Sequence, residues 1–149
     1  MIDGLLFGGW AVDFHVGRLT REHEDIDFAV WAIETNRIER LLETAGWEHA
    51  PEVDEDGGTG YLRDGVRLEL TFLVRAEDGS IRIPLRRGEV TFAGGSIGSD
   101  VLELDGRRCR VLDAAALTKT KSAVRDEEDD QAKDAADLAA LAEGRRARE

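Results

Sequence analysis

Hydrophobic and polar positions change period several times along the chain, and each change marks an element. "GLLF" (4–7) is a short apolar run closed by Gly8-Gly9, which predicts a buried strand. "WAVDFHV" (10–16) has helical length, with Gly17 placed to stop it. After a charged loop at 18–24, "DIDFAVW" (25–31) alternates: Asp25, Asp27 and Ala29 face one way, Ile26, Phe28 and Val30 the other. The period then lengthens. Ile38, Leu41, Leu42 and Ala45 form the stripe of a helix over 35–45, with Thr35 as its N-cap and Gly46 as its stop. Gly57, Gly58 and Gly60 mark a loop or hairpin tip leading to a strand. Alternation returns at 66–74, with Val66, Leu68, Leu70, Phe72 and Val74 opposite Arg67, Glu69 and Thr71. Shorter strands are predicted at 80–84, 89–93 and 100–104, the last followed by the hairpin signal Asp105-Gly106. Asp113 caps a helix over 114–125, and an alanine-rich helix follows at 129–143. Between them "DEEDD" (126–130) reads as a solvated turn that places negative charge at a helix N-terminus.

This order describes a small α/β or α+β unit with a mixed sheet. A chain of 149 residues predicts one domain over 1–149, with a core at about 4–112 and a helical segment at about 113–143. The formal net charge of −12 argues against nucleic acid as the main ligand, since that binding neutralises phosphates with Lys and Arg. It suits a cationic partner better. Nothing approaches a membrane span or a signal peptide, and the lone Cys109 excludes an internal disulfide, so a cytoplasmic protein is expected.

The candidate chemistry lies where the charge is most crowded. Asp25 and Asp27, two apart on a strand, project from one face about 7 Å apart along the chain. A hard divalent cation such as Mg²⁺ takes one or two carboxylates together with substrate phosphates. Glu69 is the best third carboxylate, because it stands mid-strand in an apolar run where an unpaired charge is costly. If the two strands are neighbours, three acids converge. Gly8-Gly9 between a strand and a helix lets backbone amides approach a phosphate at the helix N-terminus.

Residues 6–31, "LFGGWAVDFHVGRLTREHEDIDFAVW", closely resemble the nucleotidyltransferase signature of the aminoglycoside 2''-adenylyltransferase and lincosamide nucleotidyltransferase families, within the polymerase-β-like superfamily. Gly8, Gly9, Trp10, Asp13, Gly17, Arg18, Thr20, Arg21, His23, Asp25 and Asp27 match without a gap. "KSAVRDEEDDQAKDAADLAAL" resembles the family's C-terminal lysine, arginine and Lys-Asp-x-x-Asp-Leu pattern. The resemblance implies an α+β fold, a mixed sheet flanked by helices with helices at the C-terminus. It implies Mg²⁺, in a pair, held by Asp25 and Asp27 against the phosphates of ATP or another nucleoside triphosphate. Gly8 and Gly9 would contact those phosphates, and Glu69 would be a third metal ligand or the base for an acceptor hydroxyl. The acceptor would be a small hydroxylated molecule, cationic if an aminoglycoside, with a lincosamide equally open. Relatives often carry Asp where this chain has Glu69, one methylene longer. Seven residues precede Gly8, too few for the helix that relatives usually carry there. That suggests a pared-down version or a start placed too late, and a homodimer partner would cover the apolar sheet surface left bare.

Lys121 lies on the apolar stripe with Leu117 and Val124 and is expected to aim its ammonium at triphosphate, with Arg125 as a second candidate. His23 could hydrogen-bond Asp25 or orient its loop; Asp13 and Arg21 are expected to fix that loop by pairing or capping. His15, His49 and the three tryptophans are read as structural. The rival to an enzyme is a nucleotide-binding or protein-binding module, antitoxin-like, that keeps the fold without efficient transfer.

Overall fold

The computed structural model describes residues 4–51, 58–85, 88–92, 98, 100–121 and 128–148. The chain divides into two compact units: Met1–Leu5 with Glu24–Ser96, and Leu6–His23 with Ile97–Glu149.

The first unit is built on a mixed sheet. Its strands are β1 (Gly4–Phe7, whose last two residues belong to the other unit), β2 (Asp25–Trp31), β3 (Glu48–His49), β4 (Gly58–Arg63), β5 (Val66–Arg75), β6 (Ile81–Leu85) and β7 (Gly88–Phe92). Among the described residues the order is β1-β2-β5-β4-β3, with β6 pairing β5 and β7. β2 and β5 run parallel, while β3 with β4, β4 with β5, β5 with β6, and β6 with β7 are antiparallel. The alternation read from the sequence sets the layers. Val30, Leu68, Leu70 and Tyr61 turn to one face and bury Ile38 of helix α2 (Thr35–Thr44), with Ile26, Phe28, Leu42, Trp47 and Phe72 around them. Each such buried aliphatic side chain contributes about 1.5–3 kcal/mol.

Several local expectations change. Thr35 is not a cap: a 3₁₀ turn at Ala32–Glu34 precedes the helix, and the Thr35 hydroxyl donates to the Ala32 carbonyl at 2.6 Å. Leu41 and Ala45 are exposed, so the stripe of this helix is narrower than predicted. Its end is as expected. Gly46 (φ +91) donates to Glu43 O and Trp47 to Leu42 O, the paired bonds of a Schellman motif. The stretch 47–62, expected as a loop or hairpin tip leading to a strand, contains β3 and most of β4, which pair with each other. The β4–β5 turn is Asp64-Gly65 with φ +49 and +78, the same two-residue hairpin chemistry as Asp105-Gly106.

The second unit is mainly helical. Its elements are α1 (Gly8–Val16), the hairpin β8 (Val101–Leu104) and β9 (Arg107–Arg110), α3 (Ala114–Lys121) and α4 (Glu128–Arg148), α2 being the Thr35–Thr44 helix. α1 packs against α3 and α4, and Ala11, Val12 and Leu117 are completely buried. α1 begins two residues earlier than predicted, with both glycines in its first turn, and Gly17 (φ +87) ends it by donating to Asp13 O. Asp113 caps α3 through Ala116 N–H at 2.8 Å. The "DEEDD" tract is described only from Glu128, where it opens α4.

Candidate functional site

The acidic cluster follows from two parallel strands in register. Asp27 stands beside Glu69 and Asp25 beside Arg67, so period-two alternation puts all four side chains on one face. Across the other edge of β5, Gly60 opposes Glu69 and adds no side chain next to it. One carboxylate oxygen from each of Asp25, Asp27 and Glu69 lies within 4.8 Å of the others, and all three residues are partly buried.

Three acids this close cannot all ionise at neutral pH. Burial, then the charges of Asp25 and Glu69, push the Asp27 carboxyl up from 3.8 to about 9. Arg67 meets part of the charge, its Nη2 lying 2.7 Å from Glu69 Oε1. A set of hard oxygen donors, one kept protonated by burial and by its neighbours, fits a divalent cation such as Mg²⁺, which would displace that proton.

The second unit holds most of the other signature residues, several of them in polar contacts. Gly8 has φ +70, a conformation that favours glycine. A Cβ at Gly9 would lie 2.5 Å from His23 Nδ1 and 2.7 Å from Arg21 Nη2, so loop side chains press directly onto the first turn of α1. The His23 ring tilts against Trp10 with centroids 4.7 Å apart, and its Nε2 donates to Asp13 Oδ2 at 2.6 Å. Asp13 is fully buried and also accepts from the Thr20 backbone N–H at 3.2 Å and from the Thr20 hydroxyl. Arg21 forks onto Asp137 of α4, with Nε to Oδ1 at 3.0 Å and Nη2 to Oδ2 at 3.1 Å. Of the two roles considered for His23, loop orientation is the one this geometry supports.

Asp13 and Arg21 thus fix the loop, as expected of them. Asp13 finds its partners, Thr20 and His23, close in sequence, whereas the carboxylate that Arg21 forks onto comes from far along the chain, and Asp137 had only the Lys-Asp-x-x-Asp-Leu pattern to mark it. His15 is a satisfied core histidine whose Nε2 donates to the Leu112 carbonyl at 2.8 Å. Lys121 is the last residue of α3. The expectation for Arg125 lies outside the described residues.

The mixed sheet with helices is an α+β fold that carries a carboxylate cluster on two parallel neighbouring strands. The chain belongs to the aminoglycoside-2''-adenylyltransferase family, whose model matches residues 2–141. A 2''-aminoglycoside nucleotidyltransferase of Klebsiella pneumoniae is 38% identical over 47 residues, which span 32% of this chain and 27% of that relative. One from Escherichia coli matches to the same extent. Among solved structures, the lincomycin-bound lincosamide antibiotic adenylyltransferase LnuA superposes with a TM-score of 0.70 at 23% identity, covering 95% of this chain and 86% of that one. ANT(2'')-Ia in complex with adenylyl-2''-tobramycin superposes with a TM-score of 0.64 at 17% identity, covering 99% and 90%. At these identities the structural likeness establishes the α+β fold alone.

Proposed function

We propose that the protein transfers a nucleoside monophosphate, AMP from ATP, to a hydroxyl of an aminoglycoside or lincosamide antibiotic and releases pyrophosphate. The observation that carries this reading is the in-register convergence of Asp25, Asp27 and Glu69 in a member of this family. Those three residues would hold Mg²⁺, which when bound stabilises the attacking and leaving oxygens of an in-line displacement.

The other roles are those of the chain's own side chains. Glu69 takes the proton of the acceptor hydroxyl. Gly8 and Gly9 offer amides at the N-terminus of α1, which has no side-chain cap, and are assigned to the phosphates, with His23 orienting the loop that presses on Gly9. Lys121 and Arg125 are assigned to the same triphosphate on the family pattern. The net charge of −12 favours a cationic acceptor, which supports an aminoglycoside.

The test is pyrophosphate release with ATP and Mg²⁺ against a panel of hydroxylated antibiotics, with the mass gain of the product as the second readout. Asp25→Asn and Asp27→Asn should each lower turnover by roughly 10³-fold while the circular dichroism spectrum is kept. Turnover retained in either variant would defeat the assignment. Tight ATP binding with no release for any acceptor would favour the non-catalytic rival.

A further inference from the structure

Arg67 belongs to no part of the function assigned above, yet it shares the polar face with the three acids. It stands beside Asp25 in the register of β2 and β5, and its guanidinium closes onto Glu69 Oε1 at 2.7 Å. Its Nε is buried with no acceptor among the described residues. A buried donor without a partner is unfavourable by about 1–3 kcal/mol. The charge of the cluster, more than the guanidinium's own hydrogen bonding, therefore sets its position.

We propose that Arg67 is a built-in counter-cation that competes with free divalent metal for the acidic cluster. This rests on the reading of Asp25, Asp27 and Glu69 as metal ligands. A lone divalent ion must work against Arg67's hold on Glu69 and its positive charge. An ion arriving with a triphosphate brings negative charge that offsets the guanidinium. Free metal is therefore bound weakly, and the cluster fills together with the nucleotide.

Mn²⁺ titration by calorimetry, followed by the electron paramagnetic resonance signal of unbound Mn²⁺, tests this without measuring turnover. Arg67→Gln should bind free Mn²⁺ roughly fivefold more tightly than the unaltered protein, the scale of a partly exposed ion pair. Arg67→Lys keeps a positive charge and should stay near the unaltered value. ATP should improve Mn²⁺ affinity more in the unaltered protein than in Arg67→Gln, because the guanidinium is what the triphosphate offsets. A merely structural arginine would give the opposite sign, since a damaged cluster binds metal more weakly.

Unchanged or weaker Mn²⁺ binding in Arg67→Gln, or equal tightening in Arg67→Lys, overturns the proposal. If the unaltered protein still binds Mn²⁺ with ATP in that case, the metal reading of the acids stands. If neither protein takes up Mn²⁺ with or without ATP, that reading falls as well.

Discussion

The two adjacent glycines answer different constraints. Gly8 turns the chain through φ +70, whereas Gly9 makes room for His23 and Arg21. Those side chains cannot easily retreat, because the His23 side chain is 3% exposed and tied to Asp13, and Arg21 is forked onto Asp137. Gly9→Ala should therefore destabilise the protein by about 1–3 kcal/mol in urea unfolding. In a His23→Ala background the loss should shrink by at least about 0.5 kcal/mol. Equal losses in both backgrounds would remove His23 as the reason for the glycine. The sequence marks the pair as a turn, but no local pattern says which glycine accommodates a fold-back of residues 21 and 23. Asp25, Asp27 and Glu69 were easier to read. Period two put each on a polar face, and only the pairing of their strands remained open. Arg67 was visible on the same face, but its bond to Glu69 depends on how two side chains turn, which alternation does not encode.

For whole elements, the anchoring of α4 is the feature least visible in advance. It meets the loop before β2 through the exposed Arg18–Glu143 pair and through the Arg21–Asp137 pair, whose members are 116 residues apart, with Asp137 only 1% exposed. Removing Asp137 takes the fork from a partly buried guanidinium, which keeps the Glu22 carbonyl. Asp137→Ala should therefore cost about 1–3 kcal/mol in equilibrium unfolding, while Arg21→Met with Asp137→Leu should recover most of that loss. A cost within about 0.5 kcal/mol of zero for Asp137→Ala, the range of ordinary surface substitutions, would show that the pair does not hold the helix. Strand β4 was hidden for another reason. Gly58 and Gly60 lower strand propensity and read as loop, yet a Cβ on Gly58 would collide with the Leu70 carbonyl oxygen, and Gly60 opposes Glu69. The Asp64-Gly65 turn after β4 carries the same signal that correctly placed the β8–β9 hairpin at Asp105-Gly106. The glycines before it outweighed that signal.

For the molecule as a whole, the crowded acids make stability depend on pH in an unusual direction. Asp27 keeps its proton up to about 9 in the folded protein, whereas its ordinary value is 3.8. Between those values the folded state binds more protons than the unfolded chain, so stability falls as pH rises through the window. Most paired carboxylates act the other way. Asp78 is an example, held below its ordinary range by the Ser80 hydroxyl and backbone N–H, but it is fully exposed and its effect is small. The contribution of Asp27 is isolated by comparison with Asp27→Asn, which cannot ionise. In metal-free buffer the melting temperature of the unaltered protein should decline relative to that variant as pH is raised from the lower value toward the upper. Mg²⁺ should reverse the decline, and more strongly at the alkaline end, where no proton has to be displaced before the cation binds. Calorimetry in buffers of different ionisation enthalpy should register proton release on Mg²⁺ binding near neutral pH and its disappearance in Asp27→Asn. Parallel melting curves for the two proteins across the window would mean that Asp27 ionises normally and that the cluster is less crowded than its geometry implies.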